Sequence, residues 1–361
     1  MPVYRRVSGL LLRGLFALGL GAAGCGGAPA ELPGDLPPAP SPGKPFHYAL
    51  DQVLRLQHVQ VRGTHNSYHV DTTSGTFDPW AYTHRPIYEQ LDVLGIRQLE
   101  LDVYLDDDSL TVQHVPGADA GTRCPELGDC LREVRRFSDA YPGHMPIFIQ
   151  IEPKSDLAPE EMDHFFAVLE SEIYAAFPKE RVLTPDEVQG NFPTLRAALA
   201  DHGWPLLGQL RGRIFFAFDT TGPIRTAYTH NLQDLHGRAL FVDSAPTDPF
   251  AGVSVLNDQL DPGDAAETKL ALAGNLLIRT RADSDGDEAR AGDSRRGMAG
   301  LTSGAHFIST DFPEPTATIP YRFQVPGGTP ARCNPVLAPA NCTAQALEDP
   351  AFVGSTPPTS P

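Results

Sequence analysis

The sequence predicts an α/β protein folded as a TIM-like (β/α)8 barrel. Three observations carry that prediction. Strand and helix signals alternate from Leu50 onward, the pattern of a parallel sheet. The strand signals number about eight, which favours a closed barrel over an open doubly wound sheet. No G-x-G-x-x-G follows the first strand, so a dinucleotide-binding fold is disfavoured.

Taken in order, the first strand is expected at residues 59–63, and the helix at 86–94 stops at Gly95. A second strand at 96–105 is followed by a short one at 111–115. Residues 127–141 read as a helix because Leu131, Val134 and Phe137 recur on one face. After a strand at 146–151, Met162, Phe165, Phe166, Leu169, Ile173 and Phe177 recur at helical spacing and belong to the core. Further helices are expected at 194–202, 264–274 and 292–304, and further strands at 214–219, 239–242, 276–280 and 306–310. Residues 47–330 are therefore expected to form a single barrel domain.

The flanks have a different composition. Residues 1–25 read as a lipoprotein-type signal peptide, with Arg5, Arg6 and Arg13, an apolar run from Leu10 to Leu20, and a small-residue box ending in Cys25. Cleavage before Cys25 would leave a thiol for lipid attachment, so a membrane anchor is expected, with plain secretion as the alternative. Residues 26–46 form a Pro-rich linker that cannot build a core. Residues 331–361 are expected to be a Cys-containing, largely disordered tail.

The formal net charge of −17 argues against nucleic acid, which requires a basic footprint. The chain is expected to act as a monomer. Beyond Cys25 the cysteines are Cys124, Cys130, Cys333 and Cys342, and two short-range disulfides in an oxidising compartment are the natural reading. Zinc is disfavoured because no C-x-x-C pair is present.

The chemistry-bearing residues gather where strand signals run out into loops, which is where barrels keep their active groups. His65 and Asn66 follow the first strand, Glu100 and Asp102 lie in the second, His114 lies just beyond, and Glu152 ends the third strong strand signal. Glu100 and Asp102 are two residues apart, so on a strand both face one side. Carboxylate and amide oxygens suit a hard cation such as Ca²⁺, and imidazoles suit proton transfer near neutral pH. Lys154, Arg279, Arg281 and Arg290 are cations placed to meet phosphate. The acidic run 283–288 is not an EF-hand loop, because its glycine falls at the fourth position and Ser294 stands at the twelfth.

Taken singly, each of these has a bland reading: a surface histidine, a solvated strand face, a rim salt bridge between Glu152 and Lys154. Taken together, His65-Asn66, Glu100-x-Asp102, His114 and Glu152 resemble, in that order, the calcium-dependent phosphatidylinositol-specific phospholipase C family, within the PLC-like phosphodiesterase barrels. The resemblance covers about residues 50–312. It implies a catalytic barrel with Ca²⁺ held by Asn66, Glu100, Asp102 and Glu152. Acid–base catalysis would fall to His65, His114 and Glu100, and the substrate would be read by Lys154, Arg281 and Arg290. The implied activity cleaves phosphatidylinositol, or a related inositol phospholipid, to diacylglycerol and a cyclic inositol phosphate. Two alternatives stand beside it. One is a glycerophosphodiester phosphodiesterase, although that pattern begins His-Arg where this chain has His65-Asn66, and its Glu-Asn-Thr is not here. The other is a non-catalytic calcium-binding surface lipoprotein.

Overall fold

The computed structural model describes residues 48–73, 77–328 and 330–349. The proposed leader, Cys25 and the Pro-rich linker lie outside them. Among the described residues no helix is long and apolar enough to cross a membrane.

Eight strands run parallel around the barrel: β1 (Val59–Thr64), β2 (Gln98–Asp106), β4 (Ile147–Pro153), β5 (Ile214–Phe218), β6 (Phe241–Val242), β7 (Val253–Val255), β8 (Leu277–Arg281) and β9 (Phe307–Thr310). Neighbours follow the order β6-β5-β4-β2-β1-β9-β8-β7. The two ends of that path meet at the parallel bridge between Asp243 and Val253, and the Ser244 N–H adds a bond to the Val253 carbonyl. The barrel is therefore nearly closed, as expected. β7 has only three residues and gave no readable strand signal.

Two strands lie off the ring. β3 (Ser109–Val112) folds back antiparallel on β2, from Val103↔Val112 to Asp106↔Ser109. The short strand expected at 111–115 is thus a hairpin arm, and His114 sits in the loop beyond it. β10 (Ala331–Cys333) pairs antiparallel with the start of β1. The tail expected to be largely disordered is packed through Glu348. Leu347 and Glu348 are fully buried, and Glu348 pairs with Arg97 at 2.5 Å and 3.0 Å. An apolar residue and a charged partner inside the fold supply what its composition alone did not reveal.

Helices Leu127–Ala140, Met162–Ala176, Leu195–His202, Pro262–Ala273 and Arg295–Ser303 match the expected periods. The first helix is shorter than expected, Ile87–Asp92, and the chain turns at Gly95 with φ +66°. Thr194 and Asp261 cap their helices by accepting backbone N–H bonds. The cysteines form the disulfides Cys124–Cys130 and Cys333–Cys342.

Period two sorts the barrel interior into layers. At the N-terminal end Phe148, Phe215 and Phe307 pack ring on ring, 4.7–5.9 Å between centroids. One step up, β2 and β4 bring Glu100 opposite Gln150; the next step brings Asp102 opposite Glu152. An apolar floor thus carries polar upper layers. A side chain at Gly63 would displace Gln98, since a Cβ there would fall 1.7 Å from Gln98 Oε1.

Candidate active site at the barrel mouth

The polar layers open at the C-terminal ends of the strands. Glu100, Asp102 and Glu152 offer oxygens that all lie within 4.8 Å of one another. Oxygens bound to one Ca²⁺ at about 2.3–2.6 Å are separated by no more than about 5 Å, so the spacing fits such an ion. Asp102 is fully buried, and neither of its carboxylate oxygens receives a hydrogen bond. Lys154 Nζ comes within 3.2 Å of Asp102 Oδ2, off the hydrogen-bonding direction, and 2.5 Å from Glu152 Oε1. Asn66, buried with φ +43°, likewise leaves Oδ1 without a donor. Orphaned buried oxygens are costly unless something charged is to meet them. The donor set therefore fits a hard cation.

Burial without enough counter-charge is visible in the proton affinities. Burial, opposed by Arg279 and reinforced by Asp219 and Glu152, pushes Glu100 up to about 7. Burial and the neighbouring Glu152 push Asp102 well above the usual carboxylate range. The Glu100 carboxylate accepts from Arg279, itself buried and also bonded to Asn257. Asp219, at the end of β5, accepts from Gln150 at 2.7 Å, and burial raises it too. Burial draws Lys154 down, but Asp102 and Glu152 outweigh it and hold the ammonium above its usual range.

His65 occupies the next position around the rim. Its Nδ1 lies 2.7 Å from Asp311 Oδ1, and its Nε2 lies 3.9 Å from Glu100 Oε1. Burial and the nearby Arg281 bring its pKa down to about 3, so the ring is neutral at physiological pH. Burial would raise Asp311, yet His65 and Arg281 hold it well below the usual range. An ionised acceptor at Nδ1 fixes the tautomer: Nδ1 carries the hydrogen and Nε2 presents a lone pair.

His114 is held differently. Its Nδ1 lies 2.8 Å from Asp119 Oδ2, its carbonyl accepts from the Tyr104 hydroxyl at 2.7 Å, and its ring meets Trp80 edge-on at 5.7 Å. The bridge His69↔Thr122 and the Val70 N–H bond to the Gly121 carbonyl, 3.1 Å, tie its loop to the one after β1.

The structure thus gathers Glu100, Asp102 and Glu152 in one cluster, with His65 touching its edge. Lys154 and Arg281 do not stand free for a ligand: Lys154 bridges two acids, and Arg281 donates to Asp311 and to the Asp283 carbonyl, each at 3.0 Å. Arg290 bonds to the Asp285 carbonyl and to Asp287, both at 2.8 Å, within the acidic loop. Sequence reasoning gave no role to Asp119, Asp219, Asp311 or Tyr82. Asp219 and Asp311 each directly follow a strand, a signal that could have found them. Asp119 carries no such signal.

The sequence matches the family described as phosphoinositide phospholipase C, Ca²⁺-dependent, over residues 54–109 and 105–335. A calcium-dependent phosphoinositol-specific phospholipase C from the Gram-negative bacterium Pseudomonas sp. is 17% identical, with TM-score 0.52 over 74% of this chain and 93% of that one. A Ca²⁺-dependent phosphatidylinositol-specific phospholipase C from Streptomyces antibioticus is 19% identical, with TM-score 0.54 over 72% of this chain and 96% of that one. At these identities the two structures speak for the shared fold. No curated protein matches the sequence. The family match favours neither the glycerophosphodiester phosphodiesterase nor the non-catalytic lipoprotein. The chain belongs to the Ca²⁺-dependent phosphoinositide phospholipase C family, enzymes that cleave phosphoric diesters.

Proposed function

We propose that the chain cleaves phosphatidylinositol, or a related inositol phospholipid, to diacylglycerol and a cyclic inositol phosphate. One observation carries the reading: three acidic side chains offer oxygens within 4.8 Å of one another, beside a neutral histidine. Asn66, Glu100, Asp102 and Glu152 would hold Ca²⁺. Bound there, the ion would acidify a coordinated hydroxyl and offset charge on the phosphate.

The chain's own groups would manage the protons. Glu100, ionised once Ca²⁺ has displaced its proton, would stand beside the ion as the general base that accepts the inositol 2-hydroxyl proton. His65, with its Nε2 lone pair 3.9 Å from Glu100, is an acceptor for the same hydroxyl rather than a donor to phosphate. The hydroxyl oxygen forms the new bond to phosphorus, and the bond from phosphorus to the glycerol oxygen breaks. His114, held through Nδ1, would give its Nε2 proton to that departing oxygen. Arg281, Lys154 and Arg290 remain candidates for reading the head group. For each of the three this requires exchanging a present carboxylate partner for phosphate.

We also propose that the enzyme is exported and tethered at Cys25, with the Pro-rich linker as spacer. The two disulfides support an oxidising compartment.

Phosphorus NMR of the products from phosphatidylinositol vesicles tests the reading. A cyclic phosphodiester signal should appear with Ca²⁺ and vanish with chelator. Turnover indifferent to chelator, or none at all, would refute it.

A further inference from the structure

The loop that carries His114 contains a buried arrangement that the proposed chemistry does not use. Asp119 and His69 are both fully buried. His69 Nε2 lies 2.9 Å from each oxygen of Asp119, and one of those oxygens also lies 2.8 Å from His114 Nδ1. One carboxylate therefore serves two imidazoles.

The hydrogen-bond inventory fixes where the protons must be. His69 Nδ1 lies 2.9 Å from the Tyr82 carbonyl, which can only accept, so Nδ1 carries a hydrogen. Nε2 faces two carboxylate oxygens, and a bare lone pair there would face like charge. That contact needs a proton, held between ring and carboxylate, so the His69–Asp119 pair carries no net charge.

The other groups around the pair leave this assignment intact. Tyr82 lies tilted against His69, 4.3 Å between ring centroids. His84 stands behind Tyr82, and burial, opposed by Asp311 and helped by His69, lowers it to about 4, so it adds no charge. Arg123 spends its Nε–H on the His84 carbonyl. On the His114 side the neighbours are Trp80 and the Tyr104 hydroxyl.

We propose that His69 is a positioning residue for His114. Locked onto Asp119 through that proton, it aims the shared carboxylate at His114 Nδ1 and neutralises it, so that His114 is oriented yet still releases its Nε2 proton. A lone buried aspartate would orient the ring equally well but would bind the imidazolium more tightly. The inference rests on the reading of His114 as the acid toward the leaving oxygen.

Three measurements test it. Proton and nitrogen-15 NMR of the histidine-labelled enzyme at neutral pH should show a protonated His69 Nδ1 and a strongly downfield proton in the Nε2–Asp119 contact; a contact without a proton would overturn the proposal. His69→Gln keeps a donor to Asp119 but removes the proton that neutralises it. It should leave KM for the lipid unchanged while moving the alkaline limb of kcat upward by about one pH unit or more; an unmoved limb would overturn it. Asp119→Asn should lower kcat for the lipid by about 10²-fold or more. The loss should largely disappear with a nitrophenyl ester of inositol phosphate, whose leaving group needs no proton. His114→Ala on the same ester separates the two claims. If that variant is not rescued, the acid reading itself fails. If it is rescued while Asp119→Asn is equally slow on both substrates, only the role of the pair fails.

Discussion

The two ends of the barrel treat a buried glutamate in opposite ways. At the floor, Glu348 is fully buried and accepts from Arg97 at 2.5 Å and 3.0 Å and from the Met145 N–H at 2.9 Å. Burial opposes ionisation there, yet Arg97 holds the carboxyl below its usual range. At the mouth, Glu100 is equally buried, has Arg279 as its close partner, and is pushed up to about 7. Its neighbour Asp102 receives no hydrogen bond at all. The floor is a closed circuit of charge and closes the fold. The mouth is left short of positive charge, the signature of a site that waits for a cation and a substrate.

This contrast can be broken from either side. The largest effect is expected at the mouth: His114→Ala should cut kcat for phosphatidylinositol by about 10²- to 10⁴-fold with little change in melting temperature. At the floor the reverse should hold. Glu348→Ala leaves Arg97 buried without its carboxylate and should cost about 3–5 kcal/mol by denaturant titration, while Ca²⁺ affinity stays the same. A loss of Ca²⁺ affinity in that variant would erase the distinction.

Smaller effects sharpen it. Lys154 lies between Asp102 and Glu152 as a built-in counter-cation, so Lys154→Met should tighten Ca²⁺ binding by about tenfold in a calorimetric titration, equivalent to about 1.4 kcal/mol. The pH dependence follows from Glu100. Its folded carboxyl titrates near 7 against an ordinary 4.5, so the folded enzyme without the ion holds the proton more tightly. The stability this contributes is present below about 4.5 and is lost as pH rises through 7. Ca²⁺ must displace that proton, so the rise in melting temperature on adding Ca²⁺ should be greater at pH 8 than at pH 5.

How much of this was legible depends on the range over which each residue acts. Strand-borne groups were readable: Glu100, Asp102 and Glu152 sit at fixed steps on adjacent strands, and period two decides which way they face. Asp219 and Asp311 follow the same rule and could have been read from it. The three-residue β7 was too short to show a period, and the His114 hairpin read as a further barrel element. Asp119 was beyond reach. It meets His69 fifty positions away through two loops, and a loop residue has no periodicity to announce its partner. Glu348 was hidden for the same reason, since Arg97, which makes burying it tolerable, lies 251 positions earlier in the chain.

The central claim is that the acids of the mouth share one calcium ion. Calorimetric titration of Ca²⁺ into the chelator-treated enzyme and into Asp102→Asn, at pH 7.5 and low ionic strength, tests it most directly. The account predicts one site per chain in the parent enzyme, with affinity reduced by about 100-fold or more in the variant. Equal binding in both proteins, or no binding in the parent, would contradict it.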